Sequence, residues 1–258
     1  MFHSQDNIVS FPLETWHPLT EPPTPRPVAT ATVAKTAAPR EPMPSVETQP
    51  VTLGHPTGLN PDLTKVLLDT LVYPYDGIRV RIQRLNMSVR AFEKAKLEGC
   101  EKGLILESAA GRTVHVVPLP KTFEAFGFPC PYKRDVSTEH SFYEGWGQYL
   151  LQQDPANKKV HTEWRLGTSG STADIVTVGH DGLHRAYEVT LSVGNCLSNA
   201  AKYTHTDFVQ IIFLCRDHKA REAAKACCRE GGLDPRLWMK LDFMQFSALV
   251  RRQEERSS

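Results

Sequence analysis

The sequence lacks the segments that place a protein in or across a membrane. It contains no apolar run of about 18 residues, which a transmembrane helix requires. Its opening residues, MFHSQDNIVSFPLETW, have no basic stretch followed by an apolar one, so we expect no secretory signal. The sequence therefore predicts a cytoplasmic protein with no membrane partner.

The sequence also lacks cysteines at the spacing of a metal site and has no strong net charge. The six cysteines include no CxxC pair and no histidine at metal-site spacing, which argues against a zinc ribbon and against a disulfide framework. The formal net charge is +1, so any sign of nucleic-acid binding must be local. The GTSGST segment lacks the GK[ST] ending of a phosphate loop, and neither an HExxH helix nor a GxSxG elbow occurs. These absences remove the commonest nucleotide-binding and hydrolase motifs.

Proline is concentrated at the N-terminus. Residues 1–58 hold 11 of the 19 prolines and few apolar side chains. Proline removes backbone hydrogen-bond donors, and a segment with so little apolar surface cannot offset the entropy lost on ordering. We therefore predict that residues 1–58 form a disordered arm.

Residues 59–126 show three helical segments followed by a β-hairpin. The run NPDLTKVLLDTLVY has apolar residues at helical spacing after Asn60, a candidate N-cap. A second short helix is predicted over residues 77–85, and a third begins after Ser88 and ends near Gly103. LILES and TVHVVPL then alternate as two strands around a glycine-containing turn. This order of elements is that of a winged helix-turn-helix.

The same domain carries a local excess of positive charge. Between Ile78 and Lys121 there are nine Lys or Arg residues against four Asp or Glu residues. Phosphate contacts supply most non-specific affinity for DNA, and the helix after the turn usually lies in the major groove. The alternative is that these charges are solvated faces of a small helical domain that contacts another protein. The candidate DNA-binding residues are Arg90, Lys94, Lys96 and Arg112.

Residues 136–258 alternate between helices and strands. TEHSFYEGWGQYLLQQ is predicted to be a helix, VHTEWRL a strand, NCLSNAAKY a helix, FVQIIFLC a buried strand and HKAREAAKACCRE a helix. The segment ADIVTVGHDGLHRAYEVTLS adds two strands joined by a turn. The resulting order, α-β-β-β-α-β-α, predicts a mixed α/β domain.

Two carboxylates face each other across that last hairpin if its loop has three residues, 180–182. Such a loop pairs Gly179 with Leu183. The same register places Asp174 directly opposite Glu188, with Cβ atoms about 5 Å apart. Opposed carboxylates repel each other unless a cation lies between them, and Mg²⁺ favours such oxygen ligands. The alternative is an edge strand with one wet, polar face.

These residues resemble the motif of the PD-(D/E)xK, or restriction-endonuclease-like, superfamily: an aspartate, a strand, a turn, then Glu-Val-Thr. More closely, HSFYEGWGQYL, HTEWRL and ADIVTVGHDGLHRAYEVTLS look like the C-terminal module of some HerA/FtsK-type ATPases of mobile elements and conjugation loci. YDGIRVRIQRLNMSVRAFEKAKLEGCEKGLI is similar to the winged helix that precedes the module there. The resemblance covers roughly residues 60–228, and this chain has no Walker A sequence, so the ATPase is absent from it.

The resemblance implies a restriction-endonuclease-like domain over residues 136–258 that hydrolyses phosphodiesters with Mg²⁺ or Mn²⁺. Asp174 and Glu188 would hold one or two metal ions, which polarise the phosphate and activate a water. An acidic residue of the preceding helix, Glu144 or Glu139, would complete the cluster. Glu163, on the preceding strand, is a further candidate.

The sequence departs from the family motif at two positions. Ala173 stands where the motif has proline, which is a mild change. Thr190 stands where the motif has lysine, and a threonine cannot stabilise a developing phosphorane charge as an ammonium does. Lys202 on the next helix, which shares a helix face with Asn199, is the candidate to supply that charge.

The leading hypothesis is a DNA-acting, Mg²⁺-dependent endonuclease or DNA-processing protein encoded on a mobile element. One alternative is a DNA-binding or adaptor protein whose nuclease-like domain has lost activity. Another is a winged-helix transcription regulator with an appended interaction domain. The candidate partners are DNA, an ATPase or another protein of the mobile element, and a second copy of the chain in a homodimer.

Overall fold

The computed structural model describes residues 58–167 and 170–257. All but the last residue of the arm predicted over residues 1–58 lies outside this range. None of the described helices is both long enough and apolar enough to span a membrane.

The helices are α1 (Pro61–Val72), α2 (Ile78–Arg84), α3 (Val89–Glu101), α4 (Pro120–Phe126), α5 (Thr138–Gln152), α6 (Cys196–Ala201), α7 (His218–Glu230), α8 (Pro235–Trp238) and α9 (Phe246–Ser257). The strands are β1 (Ile105–Ala110), β2 (Thr113–Pro118), β3 (Asn157–Arg165), β4 (Thr172–Gly179), β5 (His184–Thr190), β6 (Gln210–Cys215) and β7 (Leu241–Gln245).

Two of the first three helices begin at the side-chain caps that the sequence predicts. Asn60 accepts a hydrogen bond from the main-chain N–H of Asp62 (2.9 Å) at the start of α1. Ser88 accepts one from the main-chain N–H of Ala91 (3.2 Å) at the start of α3. The predicted order of three helices and a hairpin is therefore present over α1 to β2. The apolar face of α1 that packs into the core consists of Leu63, Val66, Leu67 and Leu71.

The hairpin of β1 and β2 packs in two directions. Ile105 belongs to the core that it shares with α1 and α3, whereas Val117 belongs to the core that contains α5. His115, on β2, lies with its ring 4.3 Å from the ring of Trp146 on α5. Burial, to which the charge of Arg81 adds, lowers the pKa of His115 to about 4. The imidazole is therefore neutral at physiological pH and packs as an aromatic group.

Part of the positive charge between residues 78 and 121 is neutralised inside the fold. Arg81 is fully buried, and its guanidinium donates to the Asp69 carboxylate at 2.7 Å. Arg84 donates to the same carboxylate at 2.6 Å and to Asp76 at 2.6 Å. The Arg81 guanidinium is therefore closed to phosphate, and the charge of Arg84, whose side chain is 29% exposed, is balanced by its two carboxylate partners. The nine-to-four count of charged residues in the sequence therefore overstates the positive charge that this segment presents to solvent.

A five-stranded mixed sheet forms the second part of the chain, in the order β3-β4-β5-β6-β7. β3, β4 and β5 are antiparallel neighbours, and β6 and β7 continue parallel to β5. The α-β-β-β-α-β-α order predicted from the sequence is confirmed from α5 to α7. The sequence pattern did not predict α4, α8, β7 or α9.

Both faces of this sheet are covered by helices. One face packs against α5 and α9, where the rings of Trp146 and Phe246 stack with centroids 5.1 Å apart. The other face packs against α6 and α7, with Ala200 and Ala224 in the core. Gly147 allows α5 to lie close to the sheet, because a Cβ at this position would be 2.9 Å from the Ile175 Cδ1 atom.

Candidate active site

The hairpin of β4 and β5 has the loop length that the sequence predicts. The Gly179 N–H donates to the Leu183 carbonyl at 3.0 Å. Gly182, within the loop, has the left-handed φ of +75° that glycine adopts without strain. The strands continue in this register as far as the pair Ile175 and Tyr187. The three-residue loop is therefore confirmed.

Continuing that register by one residue sets Asp174 opposite Glu188. Side chains alternate between the two faces of a strand. Val176 and Ala186, each two residues away, belong to the core beneath α6 and α7. Asp174 and Glu188 consequently lie on the side of the sheet that α6 and α7 cover, at the end of the β4–β5 pairing.

Glu188 is fully buried, and each of its carboxylate oxygens has a donor. The Lys202 ammonium donates to Oε2 at 2.8 Å, and the Tyr203 hydroxyl donates to Oε1. Burial, with the charge of Asp174 adding to it, raises the pKa of Glu188 to about 7, although both donors oppose the shift. The carboxyl is thus held rigidly and is poised between its two protonation states near neutral pH.

Lys202 reaches Glu188, one of the two acids, at 2.8 Å. It lies at the C-terminal cap of α6, and its ammonium also donates to the Thr172 carbonyl at 2.6 Å. An ammonium has three N–H donors. Two are used by Glu188 and Thr172, and the third has no partner among the described residues. The catalytic role of Lys202 stays a prediction. Its third N–H makes no hydrogen bond to the described residues and is the group that would donate to a ligand.

Asp174 is only partly engaged. Its Oδ2 atom accepts a hydrogen bond from the Val189 N–H at 2.8 Å and lies 3.5 Å from the Nε2 atom of His140. Its Oδ1 atom has no hydrogen-bond partner within the described ranges. The carboxylate raises the pKa of His140, which belongs to α5. Sequence reasoning did not identify His140, although it lies four residues before Glu144 and therefore on the same helix face.

Glu144 and Glu163 are joined by a lysine that the sequence did not suggest. The Lys133 ammonium donates to both carboxylate oxygens of Glu144, at 2.7 and 2.6 Å, and lies 2.9 Å from Glu163 Oε1. Burial raises the pKa of Glu144, and Lys133 opposes the shift. The other helix candidate, Glu139, instead accepts from Ser108 at 2.5 Å and from Arg216 at 3.3 Å.

Four carboxylates and two ammonium groups are therefore linked across this end of the sheet. When all four carboxylates are ionised and His140 is neutral, the two ammonium groups leave an excess of two negative charges, which one divalent cation balances. No three metal-binding side chains converge as a preformed site anywhere in residues 58–167 or 170–257. The donor set nevertheless fits a hard cation, because Asp174 Oδ1 is open and each Glu188 oxygen keeps a second lone pair. The four carboxylates are those of Asp174, Glu188, Glu144 and Glu163, and the ammonium groups are those of Lys133 and Lys202.

Thr190 occupies the position of the motif lysine and brings no charge to the site. Its side chain is buried, and its hydroxyl donates to the main-chain oxygen of Glu188 at 3.2 Å. The cation nearest to Glu188 comes instead from Lys202 on another element.

The candidate DNA-binding residues fall into two groups. Arg90 and Lys94, on α3, and Arg112, in the turn between β1 and β2, have exposed side chains. Lys96 is different, because its side chain is only 12% exposed and its ammonium is paired with Glu93 at 2.8 Å and with Glu107. Three of the four predicted positions are thus open to a phosphate.

No family model and no curated protein matches the chain. The central contact joins a buried carboxylate to an ammonium with a spare donor, beside a second carboxylate with an open oxygen.

Proposed function

We propose that the chain is a DNA-acting, metal-dependent endonuclease with a winged helix-turn-helix over residues 59–126 and a PD-(D/E)xK-like domain over residues 136–258. The observation that carries the proposal is the 2.8 Å contact between the Lys202 ammonium and Glu188 Oε2. It supplies the cation that Thr190 cannot supply. The order of elements from α1 to β2, and from α5 to α7, supports both domain assignments.

Each residue of the site has a distinct part in the proposed reaction. Asp174 and Glu188 would hold Mg²⁺ or Mn²⁺, which when bound polarises the phosphate and lowers the pKa of an attacking water. Lys202 would direct its third N–H to a phosphate oxygen and stabilise the charge that develops there. The water oxygen would bond to phosphorus as the ester P–O bond breaks; the water's proton would leave to solvent, and the departing sugar oxygen would keep the electron pair and take a proton from solvent. Tyr203 holds Glu188 so that its carboxylate keeps one orientation.

The exposed cations of α3 and the hairpin turn fit the phosphate backbone of DNA. Arg90 and Lys94 are four residues apart and lie on one face of α3. Arg112 extends from the tip of the hairpin, the position of the wing. Exposed cations of this kind pair with phosphates and give salt-dependent binding.

Cleavage of supercoiled and single-stranded DNA in the presence of Mg²⁺ or Mn²⁺ tests the proposal. We expect nicking by the unmodified protein, no nicking with excess EDTA, and loss of nicking on Asp174→Asn. Asp181→Asn is the matched control, because Asp181 lies in the loop of the same hairpin and is exposed. Absence of cleavage on every substrate would falsify the enzyme proposal, and cleavage that survives Asp174→Asn would show that the site is elsewhere.

A second candidate function is DNA binding without hydrolysis. It is favoured by the lack of three converging metal ligands in the described part of the chain, and by the engagement of Glu144 with Lys133. In that case the protein binds DNA with and without metal and cleaves nothing. The cleavage assay above separates the two functions.

DNA affinity is expected to depend on Arg90 and Lys94. Each change to glutamine should weaken binding to any duplex and lower the slope of log affinity against log salt by about one. Lys96→Gln, on the same helix, is the control and should change the slope little, because its ammonium is paired with Glu93 and Glu107. Fluorescence anisotropy at several salt concentrations measures both quantities. Equal effects of all three changes would mean that α3 does not face the DNA as proposed.

A further inference from the structure

The Lys133 ammonium lies among three carboxylate oxygens of the acidic cluster, two of Glu144 and one of Glu163. It is 2.7 and 2.6 Å from the oxygens of Glu144 and 2.9 Å from Glu163 Oε1. We infer that Lys133 is a built-in cation that occupies the Glu144–Glu163 pair and so limits the site to one divalent metal ion. The inference extends the proposed function, since it assumes that Asp174 and Glu188 hold that one ion.

Three separate parts of the chain bring these groups together. Lys133 lies in the segment between α4 and α5, Glu144 lies on α5, and Glu163 lies on β3. Glu163 has a φ of +51°, an uncommon conformation for a residue other than glycine, within strand β3. The register of β3 and β4, continued between their neighbouring pairs, places Glu163 across from Asp174. The Glu144–Lys133–Glu163 group thus adjoins the two proposed metal ligands.

The two ammonium groups of the site differ in what they can still bind. Lys202 has two partners and a free donor, which suits a substrate oxygen. Lys133 contacts three carboxylate oxygens of two residues, and this contact resembles that of a bound ion more than that of a substrate ligand. Lys133 is therefore a positioning residue, and Lys202 is the group placed to touch substrate.

Removing the Lys133 ammonium would leave Glu144 and Glu163 without the cation that they share. Glu144 is buried, so its ionised form needs a partner of opposite charge. Asp174 already interacts electrostatically with Glu144. A hard divalent ion is the natural replacement, because it binds carboxylate oxygens from more than one residue. The change should therefore create a second metal site.

Isothermal titration of the full chain with Mn²⁺, in the absence of DNA, tests this inference. We expect one bound ion for the unmodified protein and two for Lys133→Met, which keeps the length of the side chain without its charge. Lys133→Arg should still bind one ion. Lys159→Met, an exposed lysine of β3, is the matched control and should also bind one. Adding Glu163→Gln to Lys133→Met should return the count to one, and since Glu163 is exposed this second change does not disturb the core.

The outcomes separate this inference from the proposed function. Two ions on the unmodified protein, or one ion on a folded Lys133→Met protein, would overturn the role of Lys133 and leave the metal site at Asp174 and Glu188 intact. No ion on the unmodified protein but one on Lys133→Met would support the role of Lys133 and overturn that metal site. Loss of the fold in Lys133→Met is bypassed by Lys133→Gln, for which the same counts apply.

Discussion

Lys202→Met is expected to lower the rate of DNA cleavage by about 10³-fold, the loss typical of removing one preorganised donor from a developing charge. Lys202 is the cation nearest to Glu188, at 2.8 Å, and Thr190 cannot take its place. Its removal takes away the N–H that would donate a hydrogen bond to the substrate oxygen. Single-turnover cleavage with saturating metal ion measures the chemical step without the contribution of product release.

A change at Lys202 also acts on Glu188, so the measurement needs a second readout. The ammonium opposes the rise in the pKa of Glu188, and without it that pKa should rise further. Metal binding by Lys202→Met should therefore weaken at neutral pH and recover at alkaline pH, where Glu188 is ionised. A cleavage rate that stays low at alkaline pH with metal bound assigns the loss to the missing donor. Full recovery there would instead make Lys202 only a support for Glu188.

Lys219→Met is the control for the loss of one positive charge at the protein surface. Lys219 is an exposed lysine in the first turn of α7, and its loss leaves the contacts of Glu188 unchanged. We expect its cleavage rate to match that of the unmodified protein. A comparable loss in both variants would mean that general electrostatic attraction of DNA, and not the contact with Glu188, determines the rate.

Arg81→Met is expected to lower the free energy of unfolding by about 3–5 kcal/mol, the cost of breaking a buried ion pair on one side. Arg81 is fully buried and donates to Asp69 at 2.7 Å, to the Asp76 carbonyl at 3.0 Å and to the Pro74 carbonyl at 2.9 Å. The change leaves the Asp69 carboxylate with Arg84 alone and leaves main-chain oxygens without their donor. Urea denaturation near neutral pH measures the effect.

Arg79→Met, on the same helix, is the matched control. Arg79 is exposed, so its loss should change the free energy of unfolding by no more than about 0.5 kcal/mol. Adding Asp69→Leu to Arg81→Met should recover part of the lost stability, because the buried Asp69 carboxylate, which then has only Arg84 as a partner, is gone. If Arg81→Met lost no more stability than Arg79→Met, the buried ion pair of Arg81 and Asp69 would not contribute to stability as we expect.

The features that the sequence predicted well are decided by a few neighbouring residues. The helix starts at Asn60, Ser88 and Ser137 are set by side chains that bond to the next main-chain N–H groups. The register of the β4–β5 hairpin is set by the length of its loop and by Gly182. In both cases the cause and the result lie within a few positions of the chain, so a single sequence contains the information.

The features that the sequence did not predict depend on residues far apart in the chain. β7 is five residues long and exists as a strand because it pairs in parallel with β6, some thirty positions earlier. Arg90 and Lys96 look alike in the sequence, yet only Lys96 is neutralised, partly by Glu107 on β1. Lys133 lies in a segment without a motif, and its role appears only when α5 and β3 are brought to it. Spacing along a single element cannot reveal such contacts.

The three-residue loop of the β4–β5 hairpin restricts how this protein can change during evolution. Substitutions at the exposed positions His180 and Asp181 leave the pairing of the strands as it is. Insertion or deletion of one residue shifts β5 by one position against β4, which turns Glu188 to the opposite face of the sheet from Asp174. Related proteins that keep the same two acids should therefore vary at the positions of His180 and Asp181, keep glycine at the position of Gly182, and preserve the length of the loop or change it by two residues at a time.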